Sequence, residues 1–420
     1  MSNPVTMAVI GAGARGHGYA NFAKRFPDRL KIVAVADPND FCRNRLAKEH
    51  SIPADKCFRS WEEFCRQPKM CDAVAICTQD SMHEAPAIAC AGLKYHILLE
   101  KPMAPTAQAC RNIVTAVKDA GVMFAVCHVL RYTRYTRMLL DLLRSGELGE
   151  IVSIQHLEPV GYWHQAHSFV RGNWRNEAES SNMLLAKSCH DIDWLRGVMG
   201  KPCKEVHSFG SLRHFRASEK PEGAADRCCD CPREIESSCP YSAYKIYFRD
   251  RFCKGLKQWP VNVLTPEVTA ESLAAALEKG PYGRCVYACD NDVVDNQVVN
   301  LIFEDGSTAS MTMTAFNCHS GRKTRIFCTL GEIETDSSTI TVRKFLDDTV
   351  REIDTNIAND GSILTGHGGG DFGLMDSFVR ALAENDPSQI MTGIDETLES
   401  HLMVFAAEES RKKGIVARLD

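Results

Sequence analysis

No stretch of this 420-residue sequence is apolar for the roughly twenty residues that a membrane-crossing helix needs. A block of like charge is equally missing. The 49 basic and 54 acidic residues are interspersed and sum to −5, so nothing offers the basic stripe that holds a nucleic-acid backbone or an anionic membrane surface. Small molecules are therefore the expected partners, with no nucleic acid and no membrane. The opening "MSNPVTMAVIG" has no basic stretch leading into a long apolar run, which makes a cytoplasmic location the expectation. Disorder is excluded by composition, since 44% of the residues are hydrophobic and 25% charged. A chain of this length exceeds one typical core, so two unequal domains are expected.

Cysteine is present in excess, at 19 residues. Most lie singly inside apolar stretches such as "AVAICT" and "MFAVCHV", where reduced core thiols fit better than disulfides. One group differs: "RCCDCPREIESSCPYSA" packs Cys228, Cys229, Cys231 and Cys239 into a polar, proline-punctuated segment. Cys228 and Cys231 form a C-x2-C pair followed after seven residues by Cys239, a knuckle-like spacing for structural zinc. Cys229, His214, Cys253 and Cys203 are the candidate fourth ligands, and unliganded thiols or a disulfide are the alternatives. The surrounding run, from about 216 to 282, has poor periodicity and interrupts the second half of the chain.

In the first half, short apolar runs ("TMAVIG", "LKIVAVAD", "DAVAICT", "YHILLE") alternate with amphipathic stretches. That alternation predicts an α/β fold with a doubly wound parallel sheet, a Rossmann domain over residues 1–128. "VIGAGARGHG" sets Gly11, Gly13 and Gly16 after the first strand, with Ala14 and Arg15 opening a helix. Such a loop lets the backbone approach a dinucleotide pyrophosphate while the helix N-terminus offers oriented N–H groups. Asp37 closes the second strand, where a carboxylate can accept both ribose hydroxyls and repel a 2′-phosphate. NAD is thus expected over NADP, with Arg15, Arg43 and Arg45 as the nearby groups a 2′-phosphate would use.

"LLEKPMAP" ends a strand abruptly in Glu100, Lys101 and Pro102. Proline cannot continue a central strand, so Lys101 sits at a fixed strand end, either to orient a substrate and move a proton or as a solvated loop lysine. Beyond residue 150, "EIVSIQHLEPV", "NQVVNLIFEDGSTASMTMTAF", "KTRIFCTLGEIETD" and "STITVRKF" alternate with turn dipeptides. Residues 129–420 are therefore expected to form an α+β domain with a large, mostly antiparallel sheet, helices on one face and the other open to a second subunit.

With the glycine loop, Asp37, "AICTQDSMH" and "EKP" in order, the chain resembles the glucose–fructose oxidoreductase, inositol dehydrogenase and rhizopine-catabolism (Gfo/Idh/MocA) family. "HVLRYTRYTRMLLDLLRSGELGEIVSIQH", "GNWRN", "KSCHDIDWL" and "HGGGDFGLM" extend the resemblance over nearly the whole chain. It implies an NAD(P)-dependent dehydrogenase acting on a sugar, sugar derivative or cyclitol, assembled as a homodimer or homotetramer. It also implies a catalytic Lys101, often before a cis proline, beside His190. Family members usually carry Asp-x-x-x-His, but here Ala186 stands in the aspartate position, which brings Lys187 forward as a possible substitute. Thr78, His83, Glu100 and Arg131 resemble cofactor-lining positions. Tyr132, Trp174, Arg175, Asp191, His367 and Asp371 resemble substrate-side ones, with capping or packing as their competing roles. Some relatives cleave glycosidic bonds by transient oxidation and elimination, and a cofactor-sensing regulator is a third reading.

Overall fold

Six mostly buried runs form the first sheet: β1 (Val5–Ile10), β2 (Leu30–Ala36), β3 (Cys57–Phe58), β4 (Ala73–Ile76), β5 (His96–Leu99) and β6 (Phe124–Val126). All neighbours are parallel, in the order β3-β2-β1-β4-β5-β6. Strand order reverses between β1 and β4, and the carboxyl ends there are the place where such sheets bind ligands. The computed structural model describes residues 3–265, 267–318, 321–356 and 366–419; the "ILT" that leads into "GHGGGDFGLM" lies outside them. Among the described residues, no helix is long and apolar enough to cross a membrane.

The second sheet has nine strands: β7 (Ile151–Pro159), β8 (Cys203–Ser211), β9 (Asn296–Phe303), β10 (Thr308–Thr314), β11 (Lys323–Cys328), β12 (Gly331–Thr335), β13 (Thr339–Lys344), β14 (Val350–Asp354) and β15 (Ala417–Arg418). Their order is β14-β13-β12-β11-β7-β10-β9-β8-β15, antiparallel throughout except where β7 runs parallel to β10. Burial alternates along β9, as a sheet covered on one face requires. Val299, Leu301 and Met311 point into a core shared with Ile192 and Leu195 of the helix Cys189–Met199 and Met403 and Val404 of the helix Ile394–Lys413. Phe209, Val298 and Ile302 stay exposed on the other face.

Near its end the chain returns to the first domain. Leu374, Met375, Phe378 and Val379 join Val9, Tyr19, Phe22 and Leu98 in one core, which carries Asp371 next to the glycine loop. The interruption expected at 216–282 is ordered around its own core. Phe215, Tyr241, Ile246, Tyr247, Leu273 and Leu277 pack there with Ala166 and Val170. Its longest helix, Ala270–Lys279, starts from a Thr269/Ser272 capping box.

Candidate active site

Gly11 has φ +91°, and a Cβ there would lie 2.5 Å from the Cys77 carbonyl oxygen; one on Gly16 would lie 2.0 Å from that of Gly11. Neither position admits a side chain. Gly13, by contrast, faces open space and caps the helix Ala14–Arg25 with no side-chain bond and no acid in the first turn. A bare helix N-terminus beside a glycine that leaves room for an incoming group fits a dinucleotide pyrophosphate. Asp37 stands at the far side of the loop, with Oδ2 accepting the Ala12 N–H at 2.6 Å and Oδ1 the Asn39 N–H at 2.7 Å. Each oxygen retains a lone pair for a ribose hydroxyl. The three nearby arginines are all committed to protein oxygens: Arg43 to the Asp37 carbonyl and Asp40, Arg45 to Glu49, and Arg15 to Glu100 and Asp371 at 2.6 Å each.

At the end of β5 the Lys101–Pro102 peptide is cis. Lys101 Nζ crosses to the second domain and donates to the Ala186 carbonyl oxygen at 2.9 Å. So the position where the family usually has an aspartate holds the lysine through its backbone. Glu100 turns back to Arg15 and Tyr19 and supports the loop from behind. His190, on the helix Cys189–Met199, lies beside this ammonium. Burial and then the charge of Lys101 push its pKa well below the ordinary imidazole value, so the ring is neutral. Its buried Nδ1 has no hydrogen-bond partner among the described residues. The His190 ring centre is 5.6 Å from that of His128 and 6.0 Å from that of His367. His367, at φ +51°, bonds Asp371 Oδ2 through Nδ1 at 2.9 Å, which leaves Nε2 at a 42% exposed side chain.

Lys187 is engaged in a buried ionic ladder. Its Nζ meets Glu158 Oε1 at 2.7 Å; Arg322 Nη2 meets Glu158 Oε2 at 2.9 Å; Arg322 then grips Asp191 through both Nε and Nη2, and His156 Nε2 meets Asp191 Oδ1 at 3.0 Å. Burial pushes the Asp191 carboxyl up, but the Arg322 charge and the His156 bond outweigh it and hold the group ionised. Asp191 is therefore a support beneath the site. Glu158, Arg322, His156 and His128 are additions that the sequence patterns did not single out. His164 is another: its pKa is depressed by burial first and by the Lys187 and Lys101 charges after it, which places it near both. A cavity of about 330 Å³ adjoins this group through Arg322 and His367, but neither Lys101 nor His190 lines it.

Several expected contact residues are engaged by protein partners. Arg131 donates to the Asp193 and Met391 carbonyls and pairs with Glu396, wedged against Gly197. Tyr132 ties its hydroxyl to Thr392 and the Met391 N–H. His83 lies between two carbonyls, with Nδ1 2.8 Å from the Pro102 oxygen and Nε2 3.2 Å from that of Thr78, and the Thr78 hydroxyl donates to the Met82 carbonyl. Trp174 reaches Asp80 from the second domain at 3.3 Å, and Arg175 forks onto Asp290. The zinc expected on Cys228, Cys231 and Cys239 is not supported: among the described residues no three His, Cys, Asp or Glu side chains are placed to hold one ion. Of the proposed fourth ligands, His214 bonds Tyr287, Cys203 lies in β8 against the Glu205 carbonyl, Cys229 faces Asp230 and Cys253 is exposed.

The buried histidines make acid sensitivity predictable. Burial first, and then neighbouring cations or histidines, lowers His128 and His401 from 6.5 to about 3. Between those values the unfolded chain binds more protons than the folded one, so stability is complete above about pH 6.5 and is lost as pH falls toward 3, by up to about 1.4 kcal/mol per group and pH unit. The thermal midpoint should decline already between about pH 6.5 and 5, above the range where ordinary carboxyls titrate. A flat midpoint across that window would contradict neutral buried imidazoles.

Residues 5–128 match the oxidoreductase family's NAD-binding Rossmann fold, and residues 141–416 its C-terminal alpha/beta domain. The chain belongs to the Gfo/Idh/MocA family. It is similar to 2,7-anhydro-N-acetylneuraminate hydratase of Escherichia coli (strain K12), at 28% identity over 50% of this chain and 54% of that one. Myo-inositol 2-dehydrogenase of Thermotoga maritima is 26% identical over 49% of this chain and 58% of its own. These matches span little more than half of either relative. Among solved structures, levoglucosan dehydrogenase in complex with NADH and L-sorbose shares the fold over 100% of both chains, with a TM-score of 0.71 and 18% identity.

Proposed function

We propose that this chain is an NAD-dependent oxidoreductase that moves a hydride between a carbinol carbon of a sugar, sugar derivative or cyclitol and nicotinamide. The observation that carries this reading is the pairing of a tethered cation, Lys101, with the neutral, unpartnered imidazole of His190 where the two domains meet. NAD, when bound, supplies the hydride acceptor. Lys101 orients the reacting hydroxyl and stabilises negative charge growing on its oxygen. His190 takes the proton, and burial, with the lysine charge after it, lowers its pKa and keeps it in the accepting form at neutral pH. His367 Nε2, its ring oriented by Asp371, offers a further contact to a hydroxyl, and His164 and Lys187 add polar groups nearby. Polyhydroxylated compounds are also what the names of the relatives specify.

Asp37 favours NAD because its free lone pairs suit ribose hydroxyls and the neighbouring arginines are already neutralised by carboxylates. Asp37→Ser should weaken NAD by about 10–100-fold, the value of one charge-assisted hydrogen-bond set, while NADP affinity changes less. Unchanged selectivity in a titration of both cofactors would show that the carboxylate does not face the ribose. The open face of the second sheet, with Phe209, Val298 and Ile302, is where we place a homodimer or homotetramer contact. A cytoplasmic setting fits such a reaction.

The hydratase among the relatives favours a second reading, in which oxidation is transient and the net change is loss or addition of water or a glycosidic group. A screen of NAD reduction across sugars, glycosides and cyclitols separates the two. Accumulating NADH supports the dehydrogenase; a released sugar or dehydrated product without net NADH supports the transient oxidation; neither outcome with any substrate class would count against both.

A further inference from the structure

One tryptophan of the inserted segment is anchored yet uncovered. Pro260 and Val261 beside it are buried, Val261 in the segment's own core, whereas the Trp259 indole is 47% exposed. Three rings hold it: Trp163, His164 and His167 have their centres 5.4, 5.0 and 5.4 Å from it, at interplanar angles of 57°, 78° and 86°. No ring lies parallel to the indole among the described residues. It is thus fixed by angled neighbours and keeps open aromatic surface, a rigid contact area that loses little conformational freedom when a ligand covers it.

The three supporting rings follow β7, the strand that carries Glu158 of the ionic ladder. Trp163 and His164 lie in the turn after Gly161, where φ is +97°, and His167 lies in the helix Gln165–Arg171. The charges of Lys187 and Lys101 both act on His164. One imidazole is therefore in contact with the indole and within electrostatic reach of the lysine that holds the reacting hydroxyl.

The groups around the indole select a neutral occupant. Burial first, and then neighbouring cations, lowers His164 well below the ordinary imidazole value and His167 to about 3, so both rings are uncharged. A cation would be repelled by Lys101, Lys187 and Arg251. An anion would find Arg251 and Lys187 already committed, because Arg251 lies over the Trp163 ring at 4.1 Å and donates to the Ile246 carbonyl at 2.6 Å, while Lys187 pairs with Glu158. A pyranose ring meets these conditions: it is neutral, offers a face of C–H groups to the indole and carries hydroxyls around its rim. We propose that Trp259 forms a subsite for a second sugar ring, so that the substrate is a glycoside of at least two rings, one reacting beside Lys101 and His190 and the next stacked on the indole. This rests on the hydride-transfer reading of the site. Trp259 then sets specificity and takes no part in the chemistry.

NAD reduction by glucose- and galactose-containing disaccharides should show a kcat/KM at least about tenfold above that of the free monosaccharides for one or more of them. Trp259→Ala should erase that margin mainly through KM, and Trp259→Phe, which keeps an aromatic face, should retain part of it. The phenylalanine variant and the preference of the unaltered chain decide if the alanine variant does not fold. Calorimetry on the NAD-loaded chain reads the subsite without turnover: disaccharide Kd should rise about tenfold in Trp259→Ala. Trp259-dependent binding with no NADH from any sugar would end the hydride-transfer reading and leave the subsite standing. Monosaccharides used as well as every disaccharide, or disaccharide affinity untouched by Trp259→Ala, would overturn the subsite. A changed oligomeric state with that affinity intact would do so too, by making the indole a subunit contact.

Discussion

Lys101→Met is expected to lower kcat by about 10²–10⁴-fold, the usual worth of a positioned proton-transfer group, while the Kd for NAD stays within about threefold. Methionine keeps the length and the apolar stem but removes both the charge and the tie to the Ala186 carbonyl. The glycine loop is held independently, through Asp37 on the Ala12 N–H and Glu100 on Arg15, so cofactor binding should survive. A second readout separates charge from shape. Lys101 lowers the His190 pKa, so its removal raises that pKa, and residual activity should lose its acid limb at a higher pH than the parent. Near-normal turnover, or an unmoved pH profile, would remove Lys101 from the chemistry.

Arg322→Met is expected to cost about 3–5 kcal/mol of stability, the usual penalty for removing one partner from a buried ion pair. Arg322 is the shared cation of Glu158 and Asp191, whose side chains are 4% and 0% exposed. Its loss leaves two buried carboxylates with one lysine and one histidine between them, and protonation of Asp191 becomes the cheaper state. The unfolding midpoint should fall by several degrees at neutral pH, and Asp191→Asn in the same chain should restore part of the loss, because one stranded charge is then gone. Additive losses in the double variant would show that the two residues do not form one network.

What could be read from sequence was what lies close together along the chain. Gly11, Gly13, Gly16 and Asp37 belong to one strand–helix–strand unit, so their spacing pointed to them, whereas Lys101, whose spacing equally fits a solvated loop lysine, stood out only through the family resemblance. The roles of Arg131, Tyr132 and His83 were not legible, because their partners Glu396, Thr392 and Pro102 come from other elements. A signal for Glu158 did exist: it occupies an inward position of β7, where alternation calls for an apolar residue, just before Pro159. Arg322 offered none. β8 was missed because "CKEVHSFGS" carries charges at its second and third positions and a glycine next to its end, while pairing to β9 and packing under the last long helix override that local weakness. The inserted segment looked structureless for want of a helical period, yet its aromatic density around "YSAYKIYF" was the mark of a small core.

The most direct measurement of the central claim uses the substrate found in the NAD screen, labelled with deuterium on its reacting carbinol carbon, and mass spectra of cofactor and product after one turnover. Hydride transfer beside Lys101 and His190 predicts one deuterium in the NADH, or its return to the product carbon if oxidation is transient. Product formed while the cofactor never acquires the label, and with the carbon's deuterium lost to water, would contradict it.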